Sequence, residues 1–278
     1  MFGSIKPAVQ SAIFAYELLT DERISRKMRR EICRAAAYLF CLPKGKIPNP
    51  FQMLGYSIFF LGEDELKFLV YELFLKLSYM FPAESDAPRI IDCGSNVGLS
   101  VLFFKSLYPD AKITAFEPDP EAFDVLSKNI EQNSLKDVVA HQCALTDYDG
   151  TIEFHKPAAG TGDLTMSVDA ERMSGTTISV PAKRLAPFLC DRVDLLKIDI
   201  EGAEEAVLKD LYKSGVLPNI NQMHLEYHHH IHRQKDALAS VLEILETGGF
   251  GYQISARQSR WPVRAGFQDV SLYAYKKM

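Results

Sequence analysis

Two short stretches of this 278-residue chain concentrate the side chains that move protons and hold cations. In Val193-Asp194-Leu195-Leu196-Lys197-Ile198-Asp199-Ile200-Glu201-Gly202-Ala203-Glu204, the acids Asp199, Glu201 and Glu204 surround what reads as a strand end and the first turn of a helix. Acids at a helix start complement its dipole, so Glu201 and Glu204 also fit a capping role. Asp199 differs, because it ends a strand at the carboxyl edge, where ligands bind in open α/β sheets. The second stretch, Met223-His224-Leu225-Glu226-Tyr227-His228-His229-His230-Ile231-His232, holds five of the seven histidines. Strand alternation puts His224, Glu226 and His228 on one side, within reach of Asp199 if the two strands are neighbours. Two chemistries fit. His228 can act as a general base towards a hydroxyl, since imidazole titrates near working pH. Alternatively Asp199 and Glu226 hold a divalent cation such as Mg, which acidifies a bound hydroxyl. His229, His230 and His232 read as a solvated loop.

A third stretch, Ile90-Ile91-Asp92-Cys93-Gly94-Ser95-Asn96-Val97-Gly98, runs from a strand into a helix. Glycines there let the backbone approach a ligand, and the helix start offers oriented N–H groups. Ile113-Thr114-Ala115-Phe116-Glu117-Pro118 then ends the next strand on an acid, 23 positions after Gly94, suited to accept hydrogen bonds from both ribose hydroxyls of an adenosine cofactor. A dinucleotide fingerprint would need glycine at 96 and 99, where the chain has Asn96 and Leu99. The Gly-x-Asn-x-Gly form therefore points away from a pyrophosphate and towards S-adenosylmethionine, with Asp92 beside its sugar or amino-acid part. Cys93 reads as a small buried thiol rather than a nucleophile.

These residues need a scaffold of alternating strands and helices. Strand patterns cover 89–93, 112–116, 138–144, 193–199, 220–227, 250–255 and 270–275, and helix patterns cover 97–107, 120–133, 202–213 and 235–246. Strands separated by helices mean βαβ crossovers and a mostly parallel sheet, with the last two strands an antiparallel pair at one edge. Upstream, 56–61 suits a strand and 63–81 an amphipathic helix. Residues 8–42 read as helical, with Ile24, Met28, Ile32, Ala36 and Leu39 on one stripe and Arg23, Arg26, Lys27, Arg29, Arg30 and Arg34 opposite, a solvated face. Between them Pro43-Lys44-Gly45-Lys46-Ile47-Pro48-Asn49-Pro50 denies helix and ladder bonds and marks a boundary. The organisation is thus a helical extension and linker over 1–50 and one α/β domain over 51–278.

Composition sets the outer limits. With 47% hydrophobic and 24% charged residues, the chain is neither disordered nor fibrous, and its net charge of −5 disfavours a dedicated nucleic-acid binder. Five cysteines without a CxxC pair fit free thiols in a reducing cytoplasm. The most apolar stretch, 66–81, is broken by Lys67, Glu72 and Lys76, so neither a transmembrane helix nor a signal peptide is read.

The block Asp194-Leu195-Leu196-Lys197-Ile198-Asp199-Ile200-Glu201-Gly202-Ala203-Glu204, with Asp92-Cys93-Gly94-Ser95-Asn96-Val97-Gly98 and Phe116-Glu117-Pro118, resembles the FkbM-type family of S-adenosylmethionine-dependent methyltransferases over roughly 52–278. The resemblance implies a Rossmann-like class I methyltransferase fold, a seven-stranded sheet of order 3-2-1-4-5-7-6 with strand 7 antiparallel. It also implies methyl transfer to a hydroxyl of a sugar, glycolipid, polysaccharide or secondary metabolite. Carried over, Asp92, Gly94, Ser95, Asn96 and Gly98 line the methionine and ribose, Glu117 with Pro118 holds the ribose, Ala144 and Leu145 lie against the adenine, and Asp199 faces the sulfonium. Members often carry a Ser-Ser-Leu-like stretch where this chain has Gly160-Thr161-Gly162-Asp163-Leu164, which bears on the acceptor side. Arg257, Arg260, Trp261 and Arg264, between the last two strands, suit a sugar or acidic acceptor as well as an ordinary loop. The expected partner is a small-molecule or glycan hydroxyl, and a homo-oligomer is compatible with the sequence. The rival readings are a nicotinamide-dependent oxidoreductase and a catalytically silent cofactor-binding module.

Overall fold

The computed structural model describes residues 18–157, 175–229, 237–256 and 268–277. Seven strands form the main sheet: β3 (Arg89–Cys93), β4 (Lys112–Phe116), β5 (Val138–His141), β9 (Val193–Ile198), β10 (Ile220–His229), β11 (Phe250–Ala256) and β12 (Gln268–Lys276). Their order is β11-β12-β10-β9-β3-β4-β5. The strands from β10 through β5 run parallel, and β12 pairs antiparallel with both β10 and β11. The crossovers carry α3 (Leu99–Leu107), α4 (Pro120–Gln132), α5 (Glu204–Lys213) and α6 (Leu238–Thr247). Along β3, Ile90 faces one core and Ile91 the other, as strand alternation requires, and both are fully buried. The strand order reverses between β3 and β9, which makes their carboxyl ends the natural crevice of the sheet.

Several sequence expectations need correction. The stretch 138–144 is two strands: β5 ends at His141, and β6 (Ala144–Thr146) joins a separate three-stranded sheet with β7 (Gly150–Pro157) and β8 (Gly175–Arg184) in the order β6-β8-β7. The 56–61 segment yields only β2 (Tyr56–Ile58), which pairs with β1 (Phe51–Met53) through Leu54-Gly55, both at positive φ. The 63–81 helix is α-helical only as α2 (Glu63–Leu69), then π-helical over Val70–Leu75, and Leu77 is left-handed at φ 56°. The N-terminal helix is broken at Asp21–Ser25, where Ser25 caps α1 (Arg26–Cys41) by accepting from the Met28 N–H.

The stripe of α1 did find a core. Ile32, Ala36 and Leu39 are buried in the same cluster as Phe51, Leu66, Val70, Phe103 and Leu126. The proline-rich linker is also tied back, since the Gly45 and Ile47 N–H groups donate to the Glu63 carboxylate at 2.7 and 3.0 Å. Among the described residues no helix is long and apolar enough to cross a membrane.

Candidate active site

The loop after β3 is built by backbone conformation. Gly94, Asn96 and Gly98 all stand at positive φ (82°, 49° and 85°), and the turn is pinned by the Gly94 and Ser95 N–H groups donating to Phe116 O at 3.0 and 2.9 Å. Only glycine fits position 94, because a Cβ there would lie 1.8 Å from the carbonyl oxygen of Asp199. The loop is thus pressed directly onto the end of β9. Ser95, buried, donates its hydroxyl to Asp92 O at 2.9 Å.

Carboxylates line both flanks of this loop. Glu117 is buried and accepts the Asn96 N–H at 2.8 Å and the Asp119 N–H at 2.9 Å. Burial outweighs those two bonds and raises its carboxyl to about 7. Pro118 follows it, half-buried, at the turn into α4. Asp92 is fully buried; its Oδ2 accepts from Ser100 Oγ at 2.5 Å, while Oδ1 faces the Lys197 ammonium at 3.3 Å. Ala144 and Leu145 are buried in β6, Leu145 packing in the core with Phe116 and Ile91. Cys93 is fully buried, which pushes its thiol well up and makes it inert.

Lys197 is a member of the site that periodicity did not single out. Its ammonium donates to Gly94 O at 2.5 Å and Cys93 O at 3.3 Å and lies 3.6 Å from Asp199 Oδ2. Burial pulls its pKa down, but Asp92 and Asp199 outweigh that and raise it, so the charge is retained. The signal was present: a lysine that follows two leucines inside a central strand must find buried partners. Tyr79, from the segment before β3, donates its hydroxyl to Asp199 Oδ2 at 3.1 Å.

The acid and histidine stretches do meet. In the parallel β9–β10 register His224 lies opposite Lys197 and Leu225 opposite Ile198, so one step further Glu226 lies alongside Asp199. His228 is buried, with Nδ1 2.7 Å from Glu204 Oε1 and Nε2 3.4 Å from Glu201 Oε2 and 3.8 Å from Asp199 Oδ1. Burial lowers the imidazole, but the hydrogen bond to Glu204 and the charges of Glu204, Glu201 and Asp199 prevail and hold it at about 10. At neutral pH it is therefore a cation. Glu204 is no mere cap: it also accepts the Gly202 N–H at 3.0 and 3.1 Å, one carboxylate oxygen each. Glu226 is raised to about 8, first by burial and then by the Asp199 charge. His224 is a different residue altogether, its Nε2–H donating to Met80 O at 3.2 Å and its imidazole driven by burial to about 4. Among the described residues two trios bring ligand atoms within 4.8 Å of one another, Asp199 with Glu201 and His228, and Glu226 with His228 and Asp269. Asp199 and Glu226 do not share a trio; each meets His228. The side chain of His229, together with His230, His232, Gly160 to Leu164, Arg257, Arg260, Trp261 and Arg264, lies outside the described residues.

A seven-stranded mixed α/β sheet with a glycine loop and acids at the crevice defines a methyltransferase-type fold. The chain belongs to the FkbM methyltransferases: the family model described as "Methyltransferase FkbM domain" matches residues 92–253. Methyltransferase 1 of Beauveria bassiana (strain ARSEF 2860) is 35% identical over 168 residues, 53% of this chain and 68% of its own. The 31-O-demethyl-FK506 methyltransferase FkbM of Streptomyces tacrolimicus is 27% identical over 254 residues, 80% of this chain and 92% of its own. The crystal structure of Methyltransferase FkbM from Methylobacillus flagellatus KT shares the fold at a TM-score of 0.50 and 16% identity, covering 96% of this chain. This chain spans only 58% of that one.

Proposed function

We propose that this protein transfers a methyl group from S-adenosylmethionine to a hydroxyl oxygen of a sugar, glycolipid or secondary metabolite. The observation that carries the reading is the packing of Gly94 on the Asp199 carbonyl. It unites a loop flanked by buried carboxylates with a cluster of acids and a histidine cation in one crevice. The name of the Streptomyces relative, which specifies an O-demethylated substrate, supports oxygen as the acceptor atom. The class I arrangement, with its last strand antiparallel, and a catalytic unit spanning 51–278 behind a 1–50 extension belong to the same reading.

The residues fit the cofactor. Asp92, Gly94, Ser95, Asn96 and Gly98 would hold its methionine and ribose, Glu117 and Pro118 the ribose, and Ala144 and Leu145 the adenine side. Glu117 suits a ribose because, among the described residues, each of its oxygens accepts one backbone N–H and keeps a further lone pair. When bound, the cofactor supplies an electrophilic methyl carbon on a sulfonium, so that the bond formed is O–CH₃ and the bond broken is S–CH₃. The protein's task is then collinear positioning and removal of one proton. Glu226 takes that proton, since it stands at the strand end beside Asp199 and a base is most effective with its pKa near working pH. His228, already protonated, holds Asp199 and Glu201 in place instead of serving as the base. A second reading rests on the Asp199, Glu201 and His228 trio, with Glu226 also near His228: a divalent cation there would displace the imidazole proton and acidify the hydroxyl.

Calorimetry with S-adenosylhomocysteine and, separately, NAD tests the cofactor class. The expected result is binding of the first alone, lost in Glu117→Ala; binding of NAD alone would assign the chain to the oxidoreductase reading. Activity that survives exhaustive EDTA treatment would dispose of the cation.

A further inference from the structure

The family match begins at Asp92, yet the loop it opens on is held by residues that precede it. Asn96, in left-handed backbone at φ 49°, is gripped twice. Its N–H donates to Glu117 Oε2 at 2.8 Å, and its side-chain amide donates to Glu65 Oε1 at 2.9 Å. Glu65 lies in the first turn of α2 and is only 7% exposed, so its carboxylate is committed to this contact rather than to water.

The segment carrying Glu65 is itself fixed to the core. Asn129 of α4, 1% exposed, accepts the Phe59 N–H at 2.8 Å and donates to Phe59 O at 2.9 Å and to Val97 O at 2.7 Å. Asn133, one turn on, repeats the pair with Ser57 at 2.8 and 2.9 Å. One buried amide thus ties the lead-in segment and the cofactor loop together, and Glu65 closes the circuit.

We propose that Glu65 is a positioning residue for the cofactor loop, acting through Asn96 to fix the backbone between Gly94 and Gly98 before cofactor arrives. The proposal rests on the reading of that loop as the S-adenosylmethionine site. The test is titration of S-adenosylhomocysteine into the full-length protein by calorimetry, for wild type, E65A and E65Q, with ligand-free melting curves alongside. Loss of the acceptor leaves the Asn96 amide unpaired and should weaken binding about tenfold in E65A, while E65Q, whose amide oxygen still accepts, stays within about twofold of wild type. Folded E65A that binds like wild type would overturn the proposal. So would E65Q as weak as E65A, because charge and not the Asn96 contact would then matter. If E65A does not fold, E65D, which withdraws the carboxylate by one methylene, takes its place with the same outcomes. Wild-type protein that binds no S-adenosylhomocysteine removes both this proposal and the reading beneath it.

Discussion

Neighbouring charges sort two buried histidines on one strand face into opposite charge states: His224, bonded to the Met80 carbonyl, is held neutral by burial, while His228 is held cationic by three carboxylates. The imidazole of His228 is raised from 6.5 to about 10, so the stability it contributes is complete below pH 6.5 and is lost as pH rises to 10. The ceiling on that loss is about 5 kcal/mol, and Glu226, also raised, acts in the same direction up to about 8. Denaturant midpoints of chelator-treated protein at pH 6.5, 8 and 10 should fall steadily, and a flat series would contradict the assignment. In turnover, Glu226 as base predicts a rate that climbs with pH, is half-maximal near 8 and levels above it; Glu226→Gln should remove the climb along with roughly 10²-fold or more of the rate. Asp199, Glu226 and His228 were legible as neighbours because period-2 alternation and strand adjacency are written in the sequence. The protonation state of His228 was not, since it depends on Glu204 and Glu201 arriving from beyond the strand. Glu65 was invisible for a related reason: among Glu63, Asp64 and Glu65 at a helix start, nothing in the sequence says which one turns inward.

At the scale of elements, the turn after β3 depends on two glycines for different reasons. Gly94 meets backbone, with a would-be Cβ 1.8 Å from Asp199 O, whereas Gly98 meets the end of a side chain, Leu126 Cδ1 at 2.6 Å. Gly94→Ala should therefore separate β3 from β9 and abolish cofactor binding. Gly98→Ala should cost only about 1–2 kcal/mol, the left-handed penalty plus a shift of Leu126, and retain binding; equal effects in denaturation and calorimetry would contradict this contrast. Lys197→Met, which leaves Asp92 unpaired in the interior, should destabilise by about 3–5 kcal/mol. The seven main strands were legible because each is a short apolar run, the first five set apart by helix patterns or long connections and the last two following one another as an edge pair. The three-stranded sheet was not, because β7 and β8 pair across a connection that carries no periodic pattern, and β6 follows β5 with only Gln142 and Cys143 between them.

For the whole molecule, the basic helix α1 of the N-terminal extension packs against the α/β domain, since Ile32 and Leu39 are fully buried in the core that also holds α3 and α4. Leu39→Ala should cost about 2–5 kcal/mol in a single cooperative transition; loss of the helix alone, with the sheet unaffected, would show that it folds apart. Sequence periodicity revealed the stripe but not its destination, because an apolar face does not name the surface that covers it. The central claim concerns transfer of methyl to oxygen. Its most direct test is incubation of the protein with S-adenosylmethionine labelled in the methyl group and with fractionated glycans, lipids and small metabolites, followed by mild alkali. A methyl ether survives that treatment and a methyl ester does not. The account predicts protein-dependent, alkali-stable label in one fraction, absent with Glu226→Gln. Label released as methanol, or no label in any fraction from protein that binds S-adenosylhomocysteine, would contradict it.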